Sequence, residues 1–160
     1  MKYNGVLLSL FLIFNLLLTS QMSSYSQEQA LPNSGTIQIE EVMIPQEVKS
    51  QLNNLFDNLH TKSASFAFNE FLNNSPLKDK KDDIKNLIEQ TERASRLYGK
   101  FHYANFVSGK SATRDFLRLY YLGIYDKYPM RWIFTFYKSP TLGWIVTNIK
   151  LDDLSDFYLD

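Results

Sequence analysis

Histidine and carboxylate side chains are the groups in this sequence that could move protons, and few of them fall in the region predicted to form a sheet. His102 lies near the start of the first predicted strand, and His60 ends a predicted helix. The acids within the predicted sheet are Asp115 and Asp126, both near strand ends. Acid and base catalysis needs such a group held in an apolar site. We therefore predict no catalytic residue. His102 remains the polar side chain best placed to reach a pocket, and a structural role is its alternative.

The sequence also lacks the clusters that metal sites and covalent catalysis require. It has 2 histidines and 0 cysteines, so it offers no zinc-ligand spacing, disulfide or thiol nucleophile. The C-terminal acids Asp152, Asp153 and Asp156 miss the alternating spacing and the glycine of a calcium loop. We predict no metal and no cofactor.

The first 26 residues have the three regions of a secretory signal peptide. Lys2 precedes an apolar stretch over residues 6–18, and small polar residues follow up to Ser26. This stretch is shorter than the roughly 20 apolar residues that span a bilayer, and a membrane-anchoring helix is the alternative. We predict cleavage after Ser26, with a site near Ser20 as the alternative, export to a periplasm or the medium, and no stable membrane span afterwards. Residues 27–44 then form an exposed lead-in, and residues 45–160 a single domain.

The charge of the chain is balanced, with 17 basic and 17 acidic residues. Loss of Lys2 with the signal peptide leaves the mature chain close to neutral. A near-neutral chain provides no general electrostatic attraction to nucleic acid or to an anionic membrane. We therefore predict no nucleic-acid partner.

Apolar residues at steps of three and four predict three helices in the first half of the domain. The first covers residues 45–60, with Pro45 in its first turn. The second covers residues 65–73. The third covers about residues 82–98 and ends at Gly99, and the mixed charges before it predict a solvated loop and helix start.

After Gly99 the period changes to two, which predicts strands over residues 101–107, 114–125, 131–138 and 144–151. Residues 108–111 are expected to form a hairpin turn. The second strand is apolar on both faces, as in a strand covered on both sides, and Gly123 is a candidate bulge.

The residues of the third strand separate into two faces. Trp132, Phe134 and Phe136 are expected to face the helices, and Arg131, Ile133, Thr135 and Tyr137 to face outward. The fold class is therefore α+β, with two to three N-terminal helices on a curved antiparallel sheet of three to four strands.

The segments over residues 132–138 and 143–149 carry an aromatic strand ending in Tyr-Lys, a Gly-Trp turn and a final strand. With the helices before them, they resemble small exported bacterial members of the nuclear transport factor two-like superfamily, which has a cone-shaped α+β fold. The resemblance covers about residues 46–153. It implies no single activity, because this superfamily includes isomerases, dehydratases, hydrolases, transport adaptors and non-catalytic pocket proteins.

Three functions stay open on this basis. The first is a non-catalytic exported domain that binds a small apolar ligand or a protein, including a second copy of itself through the sheet. The second is an isomerase- or hydrolase-like enzyme that uses the cone interior. The third is a structural or secretion-associated protein without a pocket. The ligand-pocket candidates are Tyr98, His102, Tyr120 and Trp132, and the interface candidates are Arg131, Ile133, Thr135 and Tyr137.

The interior distinguishes these functions. A cavity with His102 or an acid pointing into it would favour the enzyme. An interior filled by Phe56, Phe68, Ile88 and Phe134 would favour the protein without a pocket.

Overall fold

Three α-helices followed by four β-strands make up the computed structural model, which describes residues 42–159. The helices are α1 (Gln46–Thr61), α2 (Ala64–Phe71) and α3 (Lys81–Tyr98), and the strands are β1 (Phe101–Thr113), β2 (Phe116–Tyr125), β3 (Met130–Ser139) and β4 (Gly143–Asp152). Short 3₁₀ helices cover Pro76–Asp79 and Ser155–Tyr158. The predicted signal peptide and most of the predicted lead-in lie outside the described residues. Among those residues, no helix has the length and apolar character to cross a membrane.

The predicted fold class is confirmed. The strands follow the order β1-β2-β3-β4 and every neighbouring pair is antiparallel, so the sheet is an open meander. α1 buries Val48, Leu52 and Leu55, which recur at steps of three and four. α3 ends at Gly99, whose φ of 87° lies in the left-handed region that glycine adopts without strain.

The predicted turn at residues 108–111 is wrong, because these residues lie inside β1. Gly109 is buried and pairs with Leu119, and a Cβ at this glycine would lie 3.0 Å from Cδ2 of Leu119. The glycine therefore allows close packing between strands instead of a reversal of the chain. The reversal occurs between Thr113 and Phe116, where β1 ends and β2 begins.

The predicted bulge at Gly123 is also wrong, because β2 pairs regularly with both neighbours at this residue. The irregularities lie in β1, between Phe101 and Tyr103 and at two further points, and in the β3–β4 pairing. Gly123 provides space instead: a Cβ there would lie 2.6 Å from Nε1 of Trp132. The bulges in β1 change which side chains point toward the helices, so a strict period of two could not locate them.

The expected faces of β3 are confirmed on the helix side, where Trp132, Phe134 and Phe136 are all 0 % exposed. β2 differs from the sequence prediction. Its inward residues, such as Leu119, are buried, but its other face is partly open, and Phe116 is 40 % exposed. The α-helices therefore cover one face of the sheet, which we call the inner face. Among the described residues the outer face carries no α-helix, only the short 3₁₀ helix Ser155–Tyr158.

Candidate functional site

Aromatic rings fill the space between the helices and the inner face. Phe56 of α1 meets Trp132 and Phe134 edge to face, with ring centroids 6.1 and 5.9 Å away. Phe68 of α2 stacks on Trp132 at 6.2 Å. Ile88 of α3 is half-buried against this cluster. Side chains therefore occupy the space in which the sequence predicts a ligand or an active site, and the pocket candidate Trp132 is 0 % exposed.

His102 lies at the surface, where it bonds to Asp126 from the end of β2. The two side chains are joined by His102 Nε2 and Asp126 Oδ1 at 2.6 Å, and Asp126 Oδ2 accepts the backbone N–H of Lys100 at 2.6 Å. His60 lies beside this pair, with its ring centroid 6.3 Å from that of His102 and its Nδ1 bonded to the carbonyl of Phe101. We call these groups the histidine corner.

The histidine corner combines a base with an orienting carboxylate, but no serine, threonine or cysteine is among the described residues that line the adjoining cleft. That cleft is lined by Asn53, Phe56, Asp57, His102, Tyr103 and Ala104. A catalytic histidine–carboxylate pair activates a hydroxyl, thiol or bound substrate placed within hydrogen-bond reach. The arrangement found here instead ties the start of β1 to the end of β2.

The hydrogen bond from His102, and then the one from the Lys100 amide, lowers the pKa of Asp126 below its ordinary value of 3.8. A lowered folded-state pKa stabilises the fold above the unfolded-state value, and this stabilisation disappears as the pH falls through the folded-state value. We expect Asp126→Asn to lower the free energy of unfolding at pH 7. The difference from the wild type should shrink as the pH is lowered below 3.8.

Urea unfolding at a series of pH values measures this effect. Asp115→Asn, in the exposed β1–β2 turn, is the matched control. If both substitutions gave the same dependence on pH, the stabilising role of the His102–Asp126 pair would be refuted.

The other two pocket candidates lie on different sides of the sheet. Tyr98, at the end of α3, packs on Tyr128 at 5.2 Å and donates its hydroxyl to Asp153 at 3.3 Å. Partial desolvation, followed by the nearby Asp153 carboxylate, raises the pKa of Tyr98. Tyr120 lies on the outer face, where Tyr158 of the C-terminal 3₁₀ helix meets it edge to face at 6.4 Å. The structure therefore does not bring the four candidates together.

The four interface candidates do share the outer face of β3, but they differ in exposure. Arg131 is bonded to Asp152 through two N–O contacts of 2.9 and 2.8 Å. Thr135 is only 4 % exposed, whereas Tyr137 is 39 % exposed. The most accessible part of this face is therefore the end near Tyr137 and its cross-strand partner Phe116.

A row of cations crosses the outer face next to Phe116 and Tyr137. Lys110 of β1 lies directly opposite Arg118 of β2. Like charges directly opposite each other across strands destabilise a sheet. Among the described residues, no acid lies within ion-pair distance of either side chain. The sequence does not predict this row, because Lys110 is expected in a turn and lies instead within β1.

The opposite end of the same face carries an ion pair and one exposed acid. The register aligns Leu122 with Arg131 and Arg131 with Asp152, and the exposed Asp156 follows in the C-terminal 3₁₀ helix. Burial raises the pKa of Tyr158, in the same helix, to about 12. The outer face thus carries Lys110 and Arg118 at one end, and the Arg131–Asp152 ion pair with the exposed Asp156 near the other.

The edge of β4 that does not pair with β3 is hydrogen-bonded to side chains from the helical half of the domain. Gln51 of α1 donates to the carbonyl of Trp144 at 2.8 Å, and Glu47 accepts the Trp144 amide at 3.3 Å. Ser75 donates to the carbonyl of Val146 at 2.6 Å. These bonds replace those of a fifth strand at the start of β4.

A cleft of about 240 Å³ lies beside this edge, between α1, α2 and the end of the β3–β4 hairpin. We call it the amide cleft because its polar lining includes Gln51, Asn54, Asn58 and Asn74, with Glu47 and Glu70. The sequence does not predict this cleft, because the apolar positions identify the helices and their polar faces carry no motif. What signal there is lies in the polar positions of α1, which recur at steps of four, three and four.

No family model, no curated protein and no solved structure matches this chain. Within residues 42–159, no group of three or more His, Asp or Glu side chains comes together in a way that could hold a metal ion. The candidate sites are therefore the histidine corner, the outer face and the amide cleft.

Proposed function

We propose that this protein is a non-catalytic exported domain that acts by binding, and that its outer face pairs with a second copy of the chain. The observation that carries the proposal is the accessible end of the outer face. There Phe116 is 40 % exposed and Tyr137 is 39 % exposed, beside the cations Lys110 and Arg118. Exposed aromatic side chains with arginine are typical of interfaces.

Charge complementarity favours a second copy as the partner. A two-fold axis oblique to the strands near the middle of the outer face would bring the Lys110–Arg118 row of one copy to the exposed Asp156 and the Arg131–Asp152 pair of the other. The same contact would then occur twice, as a two-fold interface requires. The aromatic packing of the interior is the reason for placing binding on the surface and not in the cone.

The resemblance to the nuclear transport factor two-like superfamily is part of this proposal. What supports it is the order of elements, with three helices before a four-stranded antiparallel meander. Export rests on the signal-peptide pattern of the first 26 residues, and it places the domain in a periplasm or the medium.

Light scattering coupled to size exclusion tests the pairing. We expect the wild-type protein to be a dimer at micromolar concentration. Phe116→Glu places a carboxylate in the apolar part of the interface and should give a monomer. Added salt should weaken the wild-type dimer, since exposed charge pairs are screened over about 8–10 Å at physiological salt.

Phe66→Glu is the matched control. Phe66 is 45 % exposed, close to Phe116 in size and accessibility, but it lies in the first turn of α2 on the other side of the sheet. This variant should remain dimeric. A monomeric wild type, or a Phe116→Glu variant that dimerises like the control, would rule out pairing through the outer face.

A further inference from the structure

Two asparagines inside α1 line the amide cleft and make no side-chain hydrogen bond to the described residues that would stabilise the fold. Asn54 and Asn58 lie within the helix Gln46–Thr61, away from the positions where asparagine caps a helix. Their side chains make no hydrogen bond or ion pair to any described residue. Asparagine is less favourable than alanine inside a helix because its amide competes for backbone hydrogen bonds. Residues that are unfavourable for the local secondary structure and gain no compensating contact are often found at functional sites.

The opposite wall of the cleft repeats this pattern. Glu70 of α2 and Asn74, in the segment after α2, also line the cleft. Neither side chain has a hydrogen-bond or ion-pair partner among residues 42–159. Leu55 and Phe71 contribute apolar surface between the polar walls. The lining includes no Lys, Arg or His. Polar groups that converge on a concave surface with an apolar floor are the usual composition of a small-ligand site.

The chemistry of the lining selects the ligand class. The amides of Asn54, Asn58 and Asn74 both donate and accept hydrogen bonds, and the carboxylates of Glu47 and Glu70 accept them. An anionic ligand would be repelled by the two carboxylates, and a purely cationic ligand would use the carboxylates and amide oxygens but none of the amide N–H groups. Neighbouring hydroxyls on a sugar ring donate and accept at once, and the C–H face of the ring can lie on Phe71.

We infer that the amide cleft binds a neutral sugar. Its volume of about 240 Å³ is below the ~300–1,000 Å³ of pockets for drug-sized ligands, so a single ring fits better than an oligosaccharide. The site lies on the helix side of the sheet, and it does not depend on pairing through the outer face.

Nuclear magnetic resonance of the isotope-labelled protein tests the inference, with glucose, galactose and N-acetylglucosamine as probes. We expect the side-chain amide signals of Asn54, Asn58 and Asn74 to shift and saturate at millimolar concentrations of at least one sugar. Asn58→Ala should weaken binding about tenfold through the loss of one or two hydrogen bonds. The same substitution should leave the thermal midpoint unchanged or raise it, because alanine is the better helix former.

Asn53→Ala is the matched control, since Asn53 lies on the same helix but lines the cleft beside His102. This variant should bind sugar like the wild type. Two results would overturn the inference: no saturable shift with any of the three sugars, with saturation by spermidine then pointing to a cationic ligand, or a lower thermal midpoint in Asn58→Ala. The last would show that the asparagine serves the fold.

Discussion

Phe134→Ala is expected to lower the free energy of unfolding by about 3–5 kcal/mol. Phe134 is 0 % exposed and lies at the centre of the ring cluster. Its ring centroid is 5.9 Å from Trp132, 5.9 Å from Phe56 and 6.0 Å from Tyr121. Removing the ring takes away its burial and leaves a cavity whose walls belong to three elements and cannot easily collapse. Denaturant unfolding followed by tryptophan fluorescence measures the loss.

Phe66→Ala is the control for this substitution, because Phe66 is 45 % exposed and its replacement should change stability by less than about 0.5 kcal/mol.

The cavity left by Phe134→Ala also allows a test of whether the native interior has room for an apolar ligand. Benzene enters dry engineered cavities in protein cores, so it should raise the thermal midpoint of Phe134→Ala and leave the wild type unchanged. A rise in the wild type would show that the native interior has room for an apolar ligand.

Gly123→Ala is expected to lower the free energy of unfolding by about 1–3 kcal/mol, although alanine is the better strand residue. The new methyl group would lie 2.6 Å from Nε1 and 2.9 Å from Cδ1 of Trp132. The indole is 0 % exposed and stacked between Phe68 and Phe134, so it cannot move aside without disturbing both rings. The same unfolding measurement reports the loss.

A second substitution separates this clash from any general effect of alanine. Trp132→Phe removes the indole nitrogen, so Gly123→Ala should cost less stability in that background than in the wild type. Gly109→Ala is a further comparison and should cost less than Gly123→Ala, because its methyl group would lie 3.0 Å from Cδ2 of Leu119 whereas that of Gly123→Ala would lie 2.6 Å from the indole. Equal losses from Gly123→Ala in both backgrounds would mean that the indole is not the obstacle.

The sequence predicted the elements well because their signals are local. The apolar positions of α1, the glycine after α3 and the alternation in β3 each specify a helix, an end or a face within a few residues. The errors arose where a distant contact determines the role of a residue. Gly109 and Gly123 were interpreted as a turn and a bulge, but each makes room for a side chain on a neighbouring strand.

The candidate sites were harder to predict for the same reason. His102 and Asp126 were both noted, but their pairing depends on the register of β1 against β2 and on the bulge next to His102. The Lys110–Arg118 row requires that register as well. The amide cleft requires the packing of α1 against α2 and the β4 edge, which no local pattern encodes.

Hydrogen bonds between three side chains and the start of β4 limit where a further strand could be added to this sheet. These side chains belong to Glu47, Gln51 and Ser75. An open sheet with two free edges can add copies without limit, and this is how edge strands start fibres. Here one edge is occupied at its start by bonds within the chain, and the other, β1, is interrupted by three register shifts. Copies that meet along these edges therefore have no continuous template. We therefore expect the protein to resist polymerisation along its sheet edges, although aromatic side chains are exposed on its outer face.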